Sequence, residues 1–279
     1  MDSMKEKGRH IDIMGIVNVT GDSYFPSSRC LSGKGDADIE KIIERTGQMI
    51  DEGATIIDIG ACSTRPGSDP VGEEEEWRRL SPALDAIRSA FPDAAISIDT
   101  YWASVVERAW DKIGEFIVND ISSGEDDPGM LDTAGRLGLR YIAMHKRGTP
   151  KTMQSLCGYD DVTEDVLRYF NEFAGKAEKA GIRDWIIDPG FGFAKTIEQN
   201  YQMLRELEKF SGPVGGARHK VLVGVSRKSM VFRLFGITPE ESLPQTQVLH
   251  LAALQNGADI LRVHDVAEAA RTVELYRRL

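Results

Sequence analysis

The sequence predicts a single-domain α/β protein folded as a (β/α)8 TIM barrel across residues 1–279. Three observations predict it. A short β-branched run followed by a longer amphipathic stretch recurs about eight times in one domain-sized chain, the pattern of parallel strands wrapped by helices. The runs are evenly spaced. No G-x-G-x-x-G follows the first run, and "GSDPVG" is too loose a match, so the open doubly wound sheet is the weaker alternative.

The elements follow in order. "IDIMGIVNV" (11–19) precedes a helical pattern at 36–52, and "TIIDIG" (55–60) one at 73–90. "AISIDT" (95–100) leads to 102–112, and "FIVNDIS" (116–122) to 128–137. "RYIAMH" (140–145) is followed by 160–180, and "DWIIDP" (184–189) by 196–209. "KVLVGVS" (220–226) precedes 239–256, and "DILRVHD" (259–265) runs into 266–278. Apolar positions in the helical stretches recur at three- and four-residue intervals. Gly53, Gly138, Gly181 and Gly257 stand where helix ends are expected.

Composition narrows the function classes. With 41% hydrophobic and 28% charged residues, the chain has the make-up of an ordinary soluble domain. A net charge of −10 argues against a broad basic face for nucleic acid. Cys30, Cys62 and Cys157 are too few and too scattered for a disulfide frame or a cysteine-built metal site, which fits a reducing compartment. The charged start "MDSMKEKGRH" has no apolar signal-peptide core. No apolar run approaches the ~18 residues of a membrane span. The expectation is a cytoplasmic protein.

In such barrels function sits where the strands end. The runs here end on polar residues: Asn18, Asp58, Asp99, Asn119 with Asp120, His145, Asp188, Ser226 with Arg227 and Lys228, and Arg262 with His264. Any one alone reads equally well as a turn or helix cap. Eight ends converging on one mouth favour a mixed-charge pocket. Asp99, Asn119 and Asp188 suit a flat ring edge with parallel N–H donors, such as a 2-amino-4-oxopyrimidine. In "IIDPGFGFAKT" (186–196), Phe191 and Phe193 would floor that slot, or else plug the barrel top, while Gly190 and Gly192 let the backbone come close. Lys228, Arg262 and His264, with Asn18 across the mouth, suit a phosphate or diphosphate. Residues 18–36 and 60–72 form long Gly-, Ser- and Pro-rich loops, expected to be mobile active-site loops. "EEEE" at 73–76 reads as a solvated first helical turn, favoured by the helix dipole.

Several stretches resemble the dihydropteroate synthase family of folate synthesis: "GIVNVTGDS", "DIGACSTRPG", "SIDT", "VNDISSG", "MHKRGTP", "DPGFGFAKT", "VGVSRKSM" and "LRVHDV". They occur in family order from about Ile11 to the end of the chain. The resemblance implies a homodimeric (β/α)8 enzyme joining 6-hydroxymethyl-7,8-dihydropterin diphosphate to p-aminobenzoate. It implies that Asp99, Asn119, Asp188 and Lys228 hold the pterin, near Phe193. It assigns diphosphate to Arg262, His264 and Asn18, with Mg²⁺ at Asn18. Asp99, Lys228, Arg262 and His264 would carry the catalysis. Ser229, Thr64, Arg65, Pro66 and Tyr24 or Phe25 would complete the substrate contacts. The chain departs from the family pattern at "GACS" for "GGES", at "MHKRG" for "MHMQG", and at Gly21, Tyr24 and Ala194. Lys146 and Arg147 would thereby add positive charge near the mouth. Alternatives on the same residues are a methyltetrahydrofolate-binding methyltransferase with a corrinoid partner, a non-catalytic pterin-binding paralogue, and a phosphosugar barrel enzyme.

Overall fold

The structure, a computed structural model, describes residues 9–20, 30, 36–62 and 71–279. Among them eight parallel strands close a barrel: β1 (Asp12–Asn18), β2 (Ile56–Gly60), β3 (Ala95–Asp99), β4 (Ile117–Asp120), β5 (Arg140–Met144), β6 (Trp185–Asp188), β7 (Lys220–Val223) and β8 (Ile260–Val263). Each pairs with the next, and β8 returns to β1 with Ile260 beside Asp12. The surrounding helices are α1 (Ile39–Asp51), α2 (Glu73–Ala90), α3 (Ala103–Ile113), α4 (Met130–Leu137), α5 (Val162–Ala180), α6 (Ile197–Arg205), α7 (Ser229–Phe235), α8 (Leu243–Gln255) and α9 (Val266–Arg278). The expected single barrel is therefore present.

Local chemistry sets the boundaries. Asp38 caps α1 by accepting from the Lys41 N–H, so the helix starts later than the 36 expected. Asp161 caps α5 through the N–H groups of Thr163 and Glu164, and Thr196 with Gln199 forms a capping box on α6. Left-handed Gly138 and Gly181 close α4 and α5. Besides a 3-10 turn at Met153–Ser155, two elements are additions to the sequence reading. One is α7, which opens after the short turn that follows β7. The other is a two-residue hairpin pairing Pro213–Val214 with Ala217–Arg218. Both are too short to leave a periodic signal.

The barrel interior is built by the two-residue repeat of a strand, in which residues i and i+2 share a face. Met14, Ile56, Ile117, Ile142, Ile186, Leu222 and Ile260 form a buried cluster of their own. Two residues further along the same faces stand Asp58, Asn119, Asp188 and Arg262, and four further along β1 stands Asn18. An apolar floor thus gives way to a polar mouth within one step. The alternate residues, such as Ile57, Ile59, Val118, Ala143, Ile187, Val221 and Leu261, join the larger core beneath the helices. No helix among the described residues is long and apolar enough to cross a membrane.

The acidic turn of α2 divides. Glu73 accepts from the Ser104 hydroxyl, Glu74 pairs with Arg108, and Glu75 pairs with Arg78 and Arg79. These three meet the expectation of a solvated turn. Glu76 does not: it is wholly buried, in the stripe of Leu80, Ala83, Leu84 and Ile87. Its spacing of four, seven, eight and eleven residues from those positions is the signal that places it inside. Neither carboxyl oxygen has a hydrogen-bond partner among the described residues. Burial pushes its pKa up to about 8, with Asp99 adding to the rise and the charge of Arg79 opposing it.

A consequence for stability follows. Between the ordinary Glu value and about pH 8 the folded protein keeps a proton that the unfolded chain has lost. Stability therefore falls as pH rises through that window, by up to about 1.4 kcal/mol per unit. Glu76→Gln stays neutral throughout. Urea unfolding should show the variant gaining on the wild type between pH 5 and pH 8, with a constant difference above. A difference independent of pH would mean that Glu76 is ionised in the folded state.

Candidate active site

Arg262 lies at the centre of the mouth. Its Nε donates to Asp58 at 2.7 Å, and its Nη2 lies 2.6 Å from Asp58 and 2.7 Å from Asp99. The two carboxylates outweigh burial and raise the guanidinium pKa further. Asn119 donates from Nδ2 to both oxygens of Asp58, at 3.2 and 3.3 Å. That bond fixes the amide, leaving Oδ1 and the second Nδ2 hydrogen for a ligand. Asp58 is fully buried and spent on these partners. The sequence reading noted it only as a polar strand end. The signal was available: Asp58 follows Ile56 on the lumen face, as Asp188 follows Ile186.

The structure brings Asp99, Asn119, Asp188, Lys228 and Arg262 together as expected, though Arg262 is not confined to an anion side. Asp99 is pushed above the usual carboxylate range by burial and by Asp58, Asp120 and Asp188, with Arg262 opposing. Burial also raises Asp188, against Lys228, the Gly190 N–H and Arg262. Asp188 Oδ1 accepts from the Gly190 N–H at 2.8 Å. Lys228 Nζ donates to the Phe191 carbonyl at 2.6 Å and lies 5.1 Å from the centre of the Phe193 ring. Burial lowers its pKa to about 8, with Asp188 pulling the other way.

The two phenylalanines separate. Phe191 is fully buried in the core, so it plugs the barrel top, while half-buried Phe193 lies under Lys228. His264 follows β8, half-buried, with its backbone N–H on Ser226 Oγ and its carbonyl held by Arg45. Burial, then Arg262, lowers its imidazole to about 3, so the ring is neutral at pH 7. Asn18 ends β1, and Ser229 begins α7 directly after its N-cap Lys228; both are half-buried. Thr64, Arg65, Pro66, Tyr24 and Phe25 lie outside the described residues, as does most of the two expected mobile loops.

Other polar strand ends are structural. Asp120 accepts from Ser122, Gly124 and the Tyr141 hydroxyl, all within 2.7 Å. Arg227, with a positive φ of 51°, clamps Asp265 through two 2.8 Å bonds and also holds the carbonyls of Pro239 and Glu240. The positive charge expected of Lys146 and Arg147 is engaged locally, with that of Arg147 still felt by His145. Lys146 is bonded to Asp126 at 2.5 Å; Arg147 lies over the Tyr159 ring at 3.7 Å and donates to the Gly158 carbonyl. Both cations close the loop after β5. Cys62 sits 3.9 Å from the Tyr101 hydroxyl. No group of three or more His, Cys, Asp or Glu side chains among the described residues is placed to hold a metal.

Removing Asp58 leaves a buried guanidinium with half its compensation. Breaking a buried pair costs about 3–5 kcal/mol, so Asp58→Ala should lose that much in urea unfolding. A loss below about 1 kcal/mol, typical of solvent-exposed pairs, would show that solvent screens the cluster.

Comparison with known proteins agrees with this geometry. Residues 14–264 match the pterin binding enzyme family. The dihydropteroate synthase of Escherichia coli K12 is 41% identical over 270 residues, covering 95% of this chain and 91% of that protein. Among solved structures, the Yersinia pestis dihydropteroate synthase in a sulfonamide drug complex superposes with a TM-score of 0.88 at 35% identity, covering 98% and 94% of the two chains. The Xanthomonas albilineans dihydropteroate synthase with 4-aminobenzoic acid gives 0.84 at 34% identity, covering 96% and 93%. With its barrel, its mouth and its sequence in agreement over nearly the whole length, the chain belongs to the dihydropteroate synthase family of pterin-binding enzymes.

Proposed function

We propose that this chain condenses 6-hydroxymethyl-7,8-dihydropterin diphosphate with p-aminobenzoate, giving 7,8-dihydropteroate and diphosphate. One observation carries the reading. Asp188 uses Oδ1 on its own turn and makes no bond through Oδ2 among the described residues, in the same layer as Asn119, Asp99, Lys228 and Arg262. A spare carboxylate oxygen beside an amide suits the N–H-rich edge of a pterin. The cations of that layer have no counterpart need in a methyltetrahydrofolate site.

The chemistry is a dissociative C–O cleavage. The diphosphate leaves with the bonding electrons, its charge met by Arg262 and by an N–H of neutral His264. Positive charge develops on the exocyclic methylene and spreads into the ring, where Asp99 and Asp188 favour it. The arylamine is neutral near pH 7 and attacks without a strong base, and one N–H proton is then released. Positioning and charge stabilisation carry the rate, one good donor being worth ~10²–10³. A magnesium ion delivered with the substrate would be held mainly by phosphate oxygens and retained water. Asn18 would hold it there, while Asp58 and Asp99 are engaged by Arg262. When bound, it neutralises charge on the leaving diphosphate.

We further read the protein as a cytoplasmic homodimer. Leu234 and Phe235 at the end of α7, Val248 on α8 and Leu275 on α9 are each more than half exposed, apolar side chains on three successive helices that a second copy would cover. Cys30, Cys62 and Cys157 form no disulfide with one another, which suits a reducing compartment.

Purified protein given the pterin diphosphate, p-aminobenzoate and Mg²⁺ should release diphosphate and form dihydropteroate; no product from folded protein would refute the reading. Asp188→Asn keeps the Gly190 bond but turns a donor towards the ring's donors. Charge-assisted bonds are worth about 1.5–3 kcal/mol, so calorimetry should show pterin affinity falling at least about tenfold. Unchanged affinity would place the ring elsewhere.

A further inference from the structure

After Asp188 the chain turns through Pro189–Ala194 before α6. Gly190, Gly192 and Ala194 adopt positive φ values of 72°, 86° and 50°. The turn presses against the end of β5: a Cβ on Gly190 would stand 2.0 Å from the His145 carbonyl oxygen. Three turn carbonyls are gathered by two lysines. Lys228, described above, takes that of Phe191. Lys195, only 4% exposed, takes the other two, donating to Gly190 O at 2.9 Å and Phe193 O at 3.0 Å. Its third hydrogen faces His145 Nδ1 at 3.0 Å, with the His145 carbonyl further off at 3.4 Å. An ammonium has three donors and no acceptor. In its charged form Lys195 therefore spends all three hydrogens on the short contacts, with Nδ1 of a neutral His145 as acceptor; burial lowers the lysine pKa to about 7, with Asp188 opposing. That ring is held neutral by burial, helped by Lys195 and Arg147, with a pKa lowered to about 2.

We propose that Lys195 is a positioning residue of the ring slot: it ties both ends of the β6 turn to β5, and so aims the spare oxygen of Asp188 and the Phe193 ring without touching the ligand. The proposal rests on reading the slot as the pterin site. Its physical basis is the convergence of carbonyls. Without the ammonium, the Gly190 and Phe193 oxygens face inward with no donor, at a cost that rearrangement relieves. The inner side is sealed by Phe191, which is fully buried. The turn can open only toward the mouth, carrying with it the Gly190 N–H that holds Asp188 and the Phe193 ring beneath Lys228. Arginine cannot stand in, since its planar fork does not match three acceptors set around one point.

The test uses Lys195→Met, which keeps length and loses the charge, with Lys195→Arg alongside. Folded protein is titrated with a phosphate-free pterin and, separately, with diphosphate in the presence of Mg²⁺. Kinetics then give KM for each substrate. Pterin affinity should fall at least about tenfold, the scale of a lost charged hydrogen bond. KM for the pterin diphosphate should rise in parallel, while KM for p-aminobenzoate and diphosphate affinity change by less than about threefold. Lys195→Arg should fail to restore the wild-type values. Should Lys195→Met not fold, His145→Ala removes one of the three acceptors and should still weaken pterin several-fold with diphosphate binding kept. Pterin affinity unchanged in a variant of lower melting temperature would overturn the role of Lys195, leaving a staple for stability alone. Wild-type protein that binds no pterin would instead overturn the slot, and the proposal with it.

Discussion

Arg262 reaches from β8 and sets its guanidinium between Asp58 of β2 and Asp99 of β3. The rest of the mouth depends on that placement. Three lumen-facing carboxylates, Asp58, Asp99 and Asp188, lie in one layer where burial works against every negative charge. Arg262 on β8 and Lys228 in the turn after the neighbouring β7 supply the compensation. Asp58 is consumed in the arrangement and fixes Asn119 as well. Asp99 keeps part of its surface, and Asp188 keeps an oxygen. The site therefore has an inner tier that holds geometry and an outer tier that faces ligand, both made from strand-end residues.

This division explains why Arg262 serves both halves of the reaction. Its bond to Asp99 ties it to the ring side of the proposed reaction, while under the same proposal its charge would meet the departing diphosphate. An assignment of cations to one substrate moiety and carboxylates to another is too sharp for a mouth in which they are ion-paired before anything binds. The same pairing engages both carboxylates with the guanidinium before any ligand arrives.

Much of this was legible in the sequence, and the reason is geometric. The two-residue period of a strand carries an apolar floor residue directly to a polar mouth residue, as Ile186 to Asp188, Ile117 to Asn119 and Ile260 to Arg262. Strand ends therefore named most of the described site. What the pattern does not carry is the partner. Asp58 and Asp188 look alike in sequence, yet one is spent on Arg262 and the other points a free oxygen at the slot. Arg227 and Lys228 are adjacent, and a left-handed backbone at Arg227 sends one to Asp265 and the other to the mouth. Lys146 and Arg147 count as cations in composition but are engaged by Asp126 and Tyr159. Glu76 was hidden by its neighbours: four acids in a row read as a solvated face, and only the helical period from Leu80 and Ile87 places the last one inside.

Two lysines complete the argument about how a slot for an N–H-rich ring is kept open. A carboxylate offered to a ligand must not be captured by the nearest cation, and backbone carbonyls in a glycine turn are the natural competitors for that cation. Lys228 is engaged by the Phe191 carbonyl, and Lys195 by those of Gly190 and Phe193. Both ammoniums act on Asp188 through space, opposing the effect of burial, yet neither forms a direct bond with it among the described residues. Burial lowers the two lysines to about 8 and about 7, with Asp188 sustaining their charge in return. The turn that began as two phenylalanines among glycines is thus a scaffold of carbonyls around two cations, and its product is one carboxylate oxygen left available at the end of a buried strand.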